Sequence, residues 1–451
     1  MLNPHGLSIS DTVREIESKN LSPVVLAESL LDRIDKFDPE LKAWVTVDRE
    51  DVLGAARERE IDQERGILKP LMGVPVGLKD IFYTAGMRTS ACSKIFADFV
   101  PDYDATSVKK LKDAGAVIIG KAVTTEFASS DPSPALNPWN LNHTPGGSSS
   151  GSSVAVATGM CGAALGSQTG GSTCRPAAYN GIVGLKPTYG RISRHGVVPL
   201  SWSLDTVGIL VRSVEDSALM LQVLSGHDEL DPGSADEHVP DFIEQMASRS
   251  SPPVIGLIKD FFFDNSTKEV VDHTESISHK LALSGADIKE VGLPDSFGSS
   301  HACQRIVSNV EAASFHREWY RQRADEYGPK IRANIEMGML VSGIDYLQAQ
   351  RLRRQLRLDL IKMLDGVDAV LMPTTPTPAP RDLNTTGEAV FQAPWTSSGL
   401  PTITIPSGLA SNGLPLGVQL AGLPFREGQL LGVARWCERV LDVSLWPDNY
   451  S

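Results

Sequence analysis

The sequence predicts an α/β fold in which at least part of the sheet is parallel. Helical stretches alternate along the chain with short apolar runs such as AVIIGK, a pattern typical of strands that are connected by helices. Hydrophobic residues make up 41% of the 451 residues and charged residues 22%, so the chain can bury a large core. The sequence has no internal repeat and no clear domain boundary.

The N-terminal part of the chain is expected to begin with helices. Residues 8–38 have the pattern of two amphipathic helices, with Ser10 as the N-cap of the first and Ser22-Pro23 opening the second. A charged helix is predicted over 51–65. The next segment, GVPVGLKDIF, is rich in β-branched residues and indicates a strand that ends in a turn. A helix over 104–115 is then expected to precede the strand AVIIGK.

The middle of the chain combines polar loops with small apolar segments. We expect residues 154–165, VAVATGMCGAAL, to form a tightly buried helix. Strands are predicted at 182–185 and 207–211, and a helix after Ser213. Residues 228–253 are polar, acidic and contain proline, so they are the best candidate for a long surface connection.

The C-terminal half returns to a strand–helix pattern, beginning with the strand VIGLIKD. Residues 301–364 are predicted to be mainly helical, with the arginines near 351–357 on a solvated helix face paired with acids. The strand VDAVLMP at 367–373 is followed by a Pro-rich loop. Two paired strands, LPTITIPSG and GVQLAG, and a closing helix complete the predicted elements.

Charge and composition argue against several classes of protein. The 42 basic and 55 acidic residues give a net charge of −13, which disfavours a general role on nucleic acid or on an anionic membrane. No apolar run reaches the length of a membrane span, and the N-terminus does not have the pattern of a secretory signal. The five cysteines are widely spaced without a CxxC, which is typical of reduced thiols. We therefore expect a cytoplasmic protein that uses no metal or cofactor.

The segment from Gly146 to Thr188 contains two glycine turns that carry serines. The first is GGSSSG at residues 146–151, and the second is GGS at residues 170–172. Glycines before a serine allow backbone N–H groups to converge on one point, as an oxyanion hole requires. Two ordinary Gly-rich turns, or a flexible linker, would have the same composition.

A serine nucleophile also needs a base. No GxSxG motif is present, and a Ser-His-Asp site that uses His195 stays open because such triads assemble from distant positions. The other candidate is Lys79, at the end of the apolar strand GVPVGLK. Burial would lower the pKa of Lys79 from about 10.4 and make it a base at neutral pH. A surface lysine whose stem covers the strand is the alternative.

Five long motifs occur in the order found in one known family. They are PLMGVPVGLKD (70–80), DATSVKKLKDAGAVIIGKAVTTEFA (104–128), NPWNLNHTPGGSSSGSSVAVATG (137–159), GLKPTYGRISRHGVVPLSWSLDTVG (184–208) and GLPLGVQLAG (413–422). On these motifs the chain resembles the amidase signature family of serine hydrolases, from near residue 8 to about 440. The resemblance implies an α/β fold with a single large, mixed, twisted β-sheet covered by α-helices on both sides.

The resemblance also implies one amidase domain over residues 1–451. Its expected parts are an N-terminal helical segment (about 1–65), a catalytic core (about 66–225), a variable substrate-shaping region (about 228–365), and C-terminal strands and a helix (about 366–445).

The Ser–Ser–Lys triad of the family transfers to this chain residue by residue. The resemblance implies Lys79 as the base, Ser148 as the relay on a cis peptide bond, and Ser172 as the nucleophile that forms an acyl-enzyme. It implies that Ser149 braces the lysine and the relay. The implied oxyanion hole consists of the N–H groups of Thr169, Gly170, Gly171 and Ser172. Because the lysine base must be neutral, the family expectation is an alkaline-leaning pH optimum.

Three positions near the nucleophile depart from the family pattern. Gln168 stands where the family commonly has Asp. Thr173 and Cys174 stand where it commonly has an apolar residue followed by Arg, and Arg175 comes one place later. These neighbours shape the acyl pocket, so no subgroup's substrate transfers directly. Cys174 itself is expected to be a small packing residue.

The resemblance implies a hydrolase that cleaves C–N bonds of small-molecule amides and acts as a monomer or homodimer, without nucleic acid or membrane. Apolar residues in the wall-forming segments favour hydrophobic or aryl amides and anilides, with carbamates (urethanes) and esters as further substrates. These residues are Phe127, Ile306, Met337, Met339, Leu340, Phe391 and Trp395. A loop at 228–253 or 376–392 is expected to gate access.

The alternative is the glutaminase-type A subunit of a tRNA-dependent amidotransferase. The YGRISRHGVVPLSWSLDTVG stretch resembles that protein. The run GSQTGGSTCRPA departs from its DTGGSIRxPA pattern, and its C-terminal glutamine-binding segments have no clear match here. An A subunit would also need partner chains.

Overall fold

The computed structural model describes residues 4–450, within which the chain forms fourteen α-helices and eleven β-strands. The helices are α1 (Ile9–Glu17), α2 (Pro23–Leu41), α3 (Arg49–Glu64), α4 (Thr106–Asp113), α5 (Ser150–Ala157), α6 (Cys174–Asn180), α7 (Val214–Leu224), α8 (Phe242–Ser248), α9 (Lys268–Leu283), α10 (Ser300–Arg323), α11 (Pro329–Leu340), α12 (Gly343–Met363), α13 (Ala393–Ser398) and α14 (Glu427–Leu441). The strands are β1 (Trp44–Thr46), β2 (Pro75–Lys79), β3 (Val117–Ala122), β4 (Ala163–Gln168), β5 (Val183–Lys186), β6 (Thr206–Val211), β7 (Val254–Leu257), β8 (Asp287–Glu290), β9 (Ala369–Pro373), β10 (Thr402–Leu409) and β11 (Pro415–Ala421).

These strands form one mixed sheet in the order β1-β3-β2-β4-β6-β5-β10-β11-β9-β7-β8. β2 pairs in parallel with β3 and β4, and β7 pairs in parallel with β8 and β9. The strands between β4 and β9 are antiparallel to their neighbours. Parallel neighbours need crossover connections, and α4, α5 and α9 lie in these crossovers. The predicted α/β class with a single large mixed sheet is confirmed.

The apolar core lies on both faces of the sheet. Val76 and Leu78 of β2 belong to one large apolar cluster, which also includes residues of α7 and α14. Trp44 and Ala164 belong to a second cluster with residues of α2 and α5. Strand residues alternate between the two clusters because successive side chains of a strand point to opposite faces. A Cβ atom at Gly77 would lie 2.9 Å from the Trp44 ring, so the second cluster requires glycine there.

Several predicted boundaries differ from the structure. Ser8, not Ser10, is the N-cap of α1, whereas Ser22 caps α2 as predicted and accepts hydrogen bonds from two backbone N–H groups. Residues 154–165 are not one helix, because α5 ends at Ala157 and β4 begins at Ala163. A run of small apolar residues has the same pattern in a buried helix and in a buried strand. The connection over 228–253 contains the short helix α8.

None of the helices within residues 4–450 is long and apolar enough to span a membrane. The cysteines are free: Cys92 is half-buried, and the other four are buried.

Candidate active site

The carboxyl ends of β2 and β4 meet the first residues of α5 and α6 at one edge of the sheet. β2 ends at Lys79 and β4 at Gln168, and the two strands are parallel neighbours. Ser149 is the N-cap of α5, and Ser172 lies two residues before α6. Helix starts therefore converge outside the carboxyl ends of parallel strands, which is where open α/β sheets bind ligands.

Lys79 is fully buried among hydroxyl groups. Its Nζ atom donates hydrogen bonds to Ser148 Oγ at 2.7 Å and to Ser167 Oγ at 2.8 Å. Within residues 4–450, no carboxylate forms an ion pair with it. Desolvation lowers the pKa of Lys79 from 10.5 to about 7, and Asp205 partly opposes this shift. The alternative of a surface lysine is wrong, since Lys79 is 0% exposed.

Ser148 lies on a cis peptide bond with Gly147. The Gly147 carbonyl accepts a hydrogen bond from Arg175 Nη2 at 2.6 Å. Ser149 Oγ accepts from the N–H of Ser167 at 3.2 Å, and the N–H of Ser149 donates to the Ser172 carbonyl at 3.3 Å. Ser149 therefore joins the first serine turn both to β4 and to the second serine turn.

Ser172 lies in the loop that connects β4 to α6. Three side chains from distant segments hold this loop. Thr169 Oγ1 donates to Asp205 at 2.5 Å, Gln304 Nε2 donates to the Thr169 carbonyl at 3.2 Å, and Thr396 Oγ1 donates to the Gly170 carbonyl at 2.7 Å. Burial raises the pKa of Asp205 to about 6, although the Thr169 hydrogen bond opposes that shift.

The geometry of the loop leaves a set of backbone donors free. In a trans peptide the N–H and C=O groups point in opposite directions. Because side chains bind the carbonyls of Thr169 and Gly170, the N–H groups that follow them point away from those contacts. In the described part of the chain, the N–H groups of Gly170, Gly171 and Ser172 donate to no acceptor. Such unpaired donors next to a serine can stabilise an oxyanion.

Gln168, which stands where the family commonly has Asp, holds the loop through hydrogen bonds of its side-chain amide. Its Oε1 accepts from the N–H groups of Thr173 at 2.9 Å and Cys174 at 3.0 Å, and its Nε2 donates to Thr396 Oγ1 at 3.0 Å. A carboxylate accepts hydrogen bonds but cannot make the last of these contacts. The amide therefore links the start of α6 to α13.

Cys174 and Arg175 occupy different environments. Cys174 is fully buried, and burial raises the pKa of its thiol to about 11, so it is not a ready nucleophile. Arg175 donates to the Gly387 carbonyl at 2.9 Å and to Thr386 Oγ1 at 3.1 Å, besides its bond to Gly147. It therefore joins the cis peptide to the segment that precedes α13.

A cavity of about 470 Å³ opens over the second serine turn. Thr169, Gly170, Gly171 and Ser172 line it on one side. Residues 385–390 line another side, so the 376–392 segment borders the cavity and the 228–253 segment does not. His195 is not in the lining, and its ring stacks on Tyr103 at 5.4 Å.

The wall of this cavity is polar and carries several cations. Arg305 is exposed and its guanidinium group has no hydrogen bond or ion pair with residues 4–450, and Lys330 Nζ donates to the Asn384 carbonyl at 2.6 Å. His301 contacts the Val390 carbonyl through Nε2 at 2.7 Å. Glu388 is the only carboxylate residue in the lining as far as the structure describes the chain.

The apolar residues that we expected to form the pocket walls lie elsewhere. The cavity lining includes none of Phe127, Ile306, Met337, Met339, Leu340, Phe391 and Trp395. Phe127, Phe391 and Trp395 are 0% exposed and pack in the apolar core. Met337, Met339 and Leu340 are exposed on α11, and Ile306 packs beside a small cluster that includes Cys303. These side chains therefore belong to the core, to a small separate cluster or to the exposed part of α11, and none of them lines the cavity.

Sequence reasoning missed four residues that hold the site: Ser167, Asp205, Gln304 and Thr396. Ser167 is a polar residue in a strand of small residues, AALGSQ, which is the one local signal among them. The other three come from β6, α10 and α13 or their flanks, and no spacing in the sequence links them to the loop.

The chain is similar in sequence to curated components of an amidotransferase. It is 38% identical over 473 residues to the A subunit of glutamyl-tRNA(Gln) amidotransferase from Geobacter sp. (strain M21), covering 96% of this chain and 97% of that one. It is 39% identical over 476 residues to the protein of the same name from Carboxydothermus hydrogenoformans, with the same coverage.

The fold also matches solved enzymes. The peptide amidase of Stenotrophomonas maltophilia superposes with a TM-score of 0.87 at 30% identity, covering 98% of each chain. A chain of a vestigial protein complex, described as revealing the evolutionary origins of an s-triazine catabolic enzyme, superposes with a TM-score of 0.91 at 29% identity, covering 97% of this chain and 99% of that one. The family model named Amidase matches residues 25–431. The chain therefore belongs to the Amidase family, and it is an enzyme that hydrolyses carbon–nitrogen bonds.

Proposed function

We propose that the enzyme hydrolyses the amide bond of a small polar molecule through an acyl-enzyme on Ser172. One observation carries the proposal: fully buried Lys79, with a pKa lowered to about 7, contacts the Ser148 hydroxyl at 2.7 Å. A lysine with such a pKa is partly neutral at physiological pH, and a neutral amine accepts protons.

The acylation step follows from this arrangement. Neutral Lys79 takes the proton of Ser148 while Ser148 takes the proton of Ser172. Ser172 Oγ forms a bond to the amide carbon, and the electron pair of the C=O bond moves to oxygen. The oxyanion is stabilised by the N–H groups of Thr169, Gly170, Gly171 and Ser172. Each well-placed donor contributes about 3–4 kcal/mol to the transition state.

The leaving nitrogen then receives the stored proton. The proton returns from Lys79 through Ser148 to the nitrogen, the C–N bond breaks, and the amine departs. In deacylation, water gives a proton to the same relay and attacks the acyl carbon. The ester bond to Ser172 breaks, and the proton returns to its Oγ. The products are a carboxylic acid and an amine or ammonia.

The charge of the cavity supports a substrate that carries an acidic group. Arg305 and Lys330 both line the cavity. The guanidinium group of Arg305 has no partner in residues 4–450, and the ammonium group of Lys330 binds only the Asn384 carbonyl. A guanidinium group pairs well with a carboxylate, often through two hydrogen bonds. We assign the acidic group of the substrate to Arg305, with Lys330 beside it. The polar lining also supports this class over hydrophobic or aryl amides, anilides and carbamates.

The second candidate is the A subunit of a glutamyl-tRNA(Gln) amidotransferase. Curated proteins with that name are 34% to 39% identical over nearly the whole chain, and they support this alternative better than they support a hydrophobic amide. Glutamine, the substrate of a glutaminase, carries a carboxylate and an amide, so it also fits the charged lining. This role requires partner chains, whereas the first candidate acts as a monomer or homodimer.

A substrate panel separates these candidates. Purified wild type, Ser172→Ala, Arg305→Gln and Arg305→Lys would be assayed with succinamic acid, butyramide, acetanilide, phenyl carbamate and glutamine. We expect wild type to prefer succinamic acid to butyramide, Arg305→Gln to lose that preference, Arg305→Lys to keep part of it, and Ser172→Ala to be inactive.

Other outcomes favour other accounts. Cleavage of glutamine alone would favour the amidotransferase role, and partner chains should then be sought. Preference for acetanilide or phenyl carbamate would contradict the assignment of Arg305 and restore the hydrophobic substrate. Unchanged turnover by Ser172→Ala would contradict the proposed nucleophile.

A further inference from the structure

A second cavity, of about 480 Å³, lies at the opposite end of α13 from the active-site cavity. Ala393 at the start of α13 lines the active-site cavity, whereas Ser397 and Ser398 at its end line the second. Three arginines of α12 line the second cavity: Arg353, Arg354 and Arg357. Within residues 4–450 its lining has no Asp or Glu, although the chain as a whole has a net charge of −13.

The arginines do not pair with acids, so that prediction from the sequence is wrong. Among the described residues, none of the three forms an ion pair. Arg353 donates to the carbonyls of Ser397 at 3.1 Å and Ser203 at 3.0 Å, and Arg357 Nη1 donates to the Ser398 carbonyl at 2.6 Å. The guanidinium group of Arg354 makes no hydrogen bond to the described part of the chain, and the residue is exposed.

The cavity therefore holds unused hydrogen-bond donors. A guanidinium group has five N–H donors, so Arg354 retains all of them and Arg357 retains most. Their spacing of three residues on α12 places them on the same helix face. Ser397 is 3% exposed and its Oγ is buried, so the donors that are open to a ligand are those of the two arginines.

We propose that this cavity binds the phosphate group of a small molecule. Arg354 and Arg357 supply the charged donors. Guanidinium groups match the oxygens of phosphate in geometry and charge, and they keep their charge at any physiological pH. Tyr189 and Phe425 also line the cavity, so a base or ring attached to the phosphate would meet aromatic surface. The site is separate from the active-site cavity and does not depend on the proposed amide substrate.

Isothermal titration of the full-length protein at constant ionic strength tests the proposal with three probes: inorganic phosphate, pyrophosphate and ADP. We expect saturable binding of pyrophosphate to wild type. Arg354→Gln should weaken that binding at least tenfold, because the charged donors of Arg354 are free for the ligand. ADP binding tighter than pyrophosphate would identify a nucleotide as the ligand, and equal affinities would identify a free phosphate group.

Matched controls keep the result specific to the cavity. Arg351 is on the same helix and outside the cavity lining, where it donates to Gln348 at 3.4 Å, so Arg351→Gln should bind pyrophosphate as wild type does. Ser172→Ala and Arg305→Gln should also bind normally. The proposal is overturned if wild type shows no saturable heat with millimolar pyrophosphate. It is equally overturned if Arg351→Gln weakens binding as much as Arg354→Gln does, or if Arg305→Gln abolishes it.

Discussion

Lys79 Nζ lies 2.7 Å from Ser148 Oγ, and neither side chain is more than 1% exposed. The second acceptor of Lys79, Ser167 Oγ, is also a neutral hydroxyl. Hydroxyl groups compensate a buried charge less well than a carboxylate does, so desolvation dominates and lowers the pKa of the lysine to about 7. Lys79 can therefore act as a base near neutral pH. An exposed lysine, with a pKa of about 10.4, would be protonated there and could not.

The rate should rise with pH through the pKa of Lys79. Only neutral Lys79 can accept the proton of Ser148, and the fraction that is neutral increases as pH rises through about 7. We expect kcat/KM for an uncharged amide such as butyramide to fall about tenfold for each pH unit below that pKa and to level off above it. A pH profile between 5 and 9 measures this. A flat profile across 5 to 8, or a fall above 7, would contradict the role of Lys79.

Ser167→Ala should lower the apparent pKa of the pH profile. The Ser167 hydroxyl accepts a hydrogen bond from Lys79 at 2.8 Å and so favours its charged form. Its removal should shift the midpoint to lower pH by about 0.5–1 unit, while activity falls less than in Lys79→Met. A merely structural role for Ser167 would lower the rate without moving the midpoint, and that result would contradict this prediction.

Gln168→Ala should reduce kcat about 10- to 100-fold with a smaller change in KM. The Oε1 atom of Gln168 accepts hydrogen bonds from the N–H groups of Thr173 and Cys174 and so orders the turn next to Ser172. The alanine variant loses this acceptor. Gln168→Glu is the matched control, because it keeps that acceptor and loses only the donor to Thr396. Steady-state kinetics should rank wild type above Gln168→Glu, and Gln168→Glu above Gln168→Ala. Equal kcat values in all three proteins would show that the contact does not position the nucleophile.

Thr396→Val should lower kcat about tenfold, whereas Thr396→Ser should leave it within about twofold of wild type. The threonine hydroxyl holds the Gly170 carbonyl at 2.7 Å, and that peptide group directs the next N–H toward the cavity. Valine has the same shape without the hydroxyl, and serine keeps the hydroxyl without the methyl group. The kcat values of both variants, measured beside their thermal unfolding midpoints, separate lost positioning from lost stability. A reversed order of the two kcat values would contradict this account of the loop.

Local sequence order accounts for what could be predicted about the site. Lys79 ends an apolar strand, and Ser148 and Ser172 lie in glycine turns, but the choice of these three residues rests on the resemblance of the surrounding motifs to the family. Contacts across the fold have no such mark: Thr396 is 228 residues from Gln168, yet its side chain completes the same loop. The fold class likewise followed from alternating helices and strands, while the boundary between α5 and β4 did not, because small apolar residues suit both.

The walls of the cavity could not be predicted because apolar side chains gain more from the core than from a pocket. Burial of apolar surface stabilises the fold by about 25 cal/mol per Å². Phe391 and Trp395 are accordingly packed in the apolar core, and polar residues of α10 and the 385–390 segment line the cavity instead. Composition near a site therefore says little about the surface that a substrate meets.

Covalent labelling of the nucleophilic serine tests the central claim most directly. Wild type, Lys79→Met and Ser172→Ala would be treated with a fluorophosphonate probe, digested and mapped by mass spectrometry, with Cys174→Ala as the matched neighbour. The account predicts one modified serine, Ser172, in wild type and in Cys174→Ala. It predicts no modification in Ser172→Ala and much slower modification in Lys79→Met. Modification of any other residue, or labelling of Lys79→Met at the wild-type rate, would contradict it.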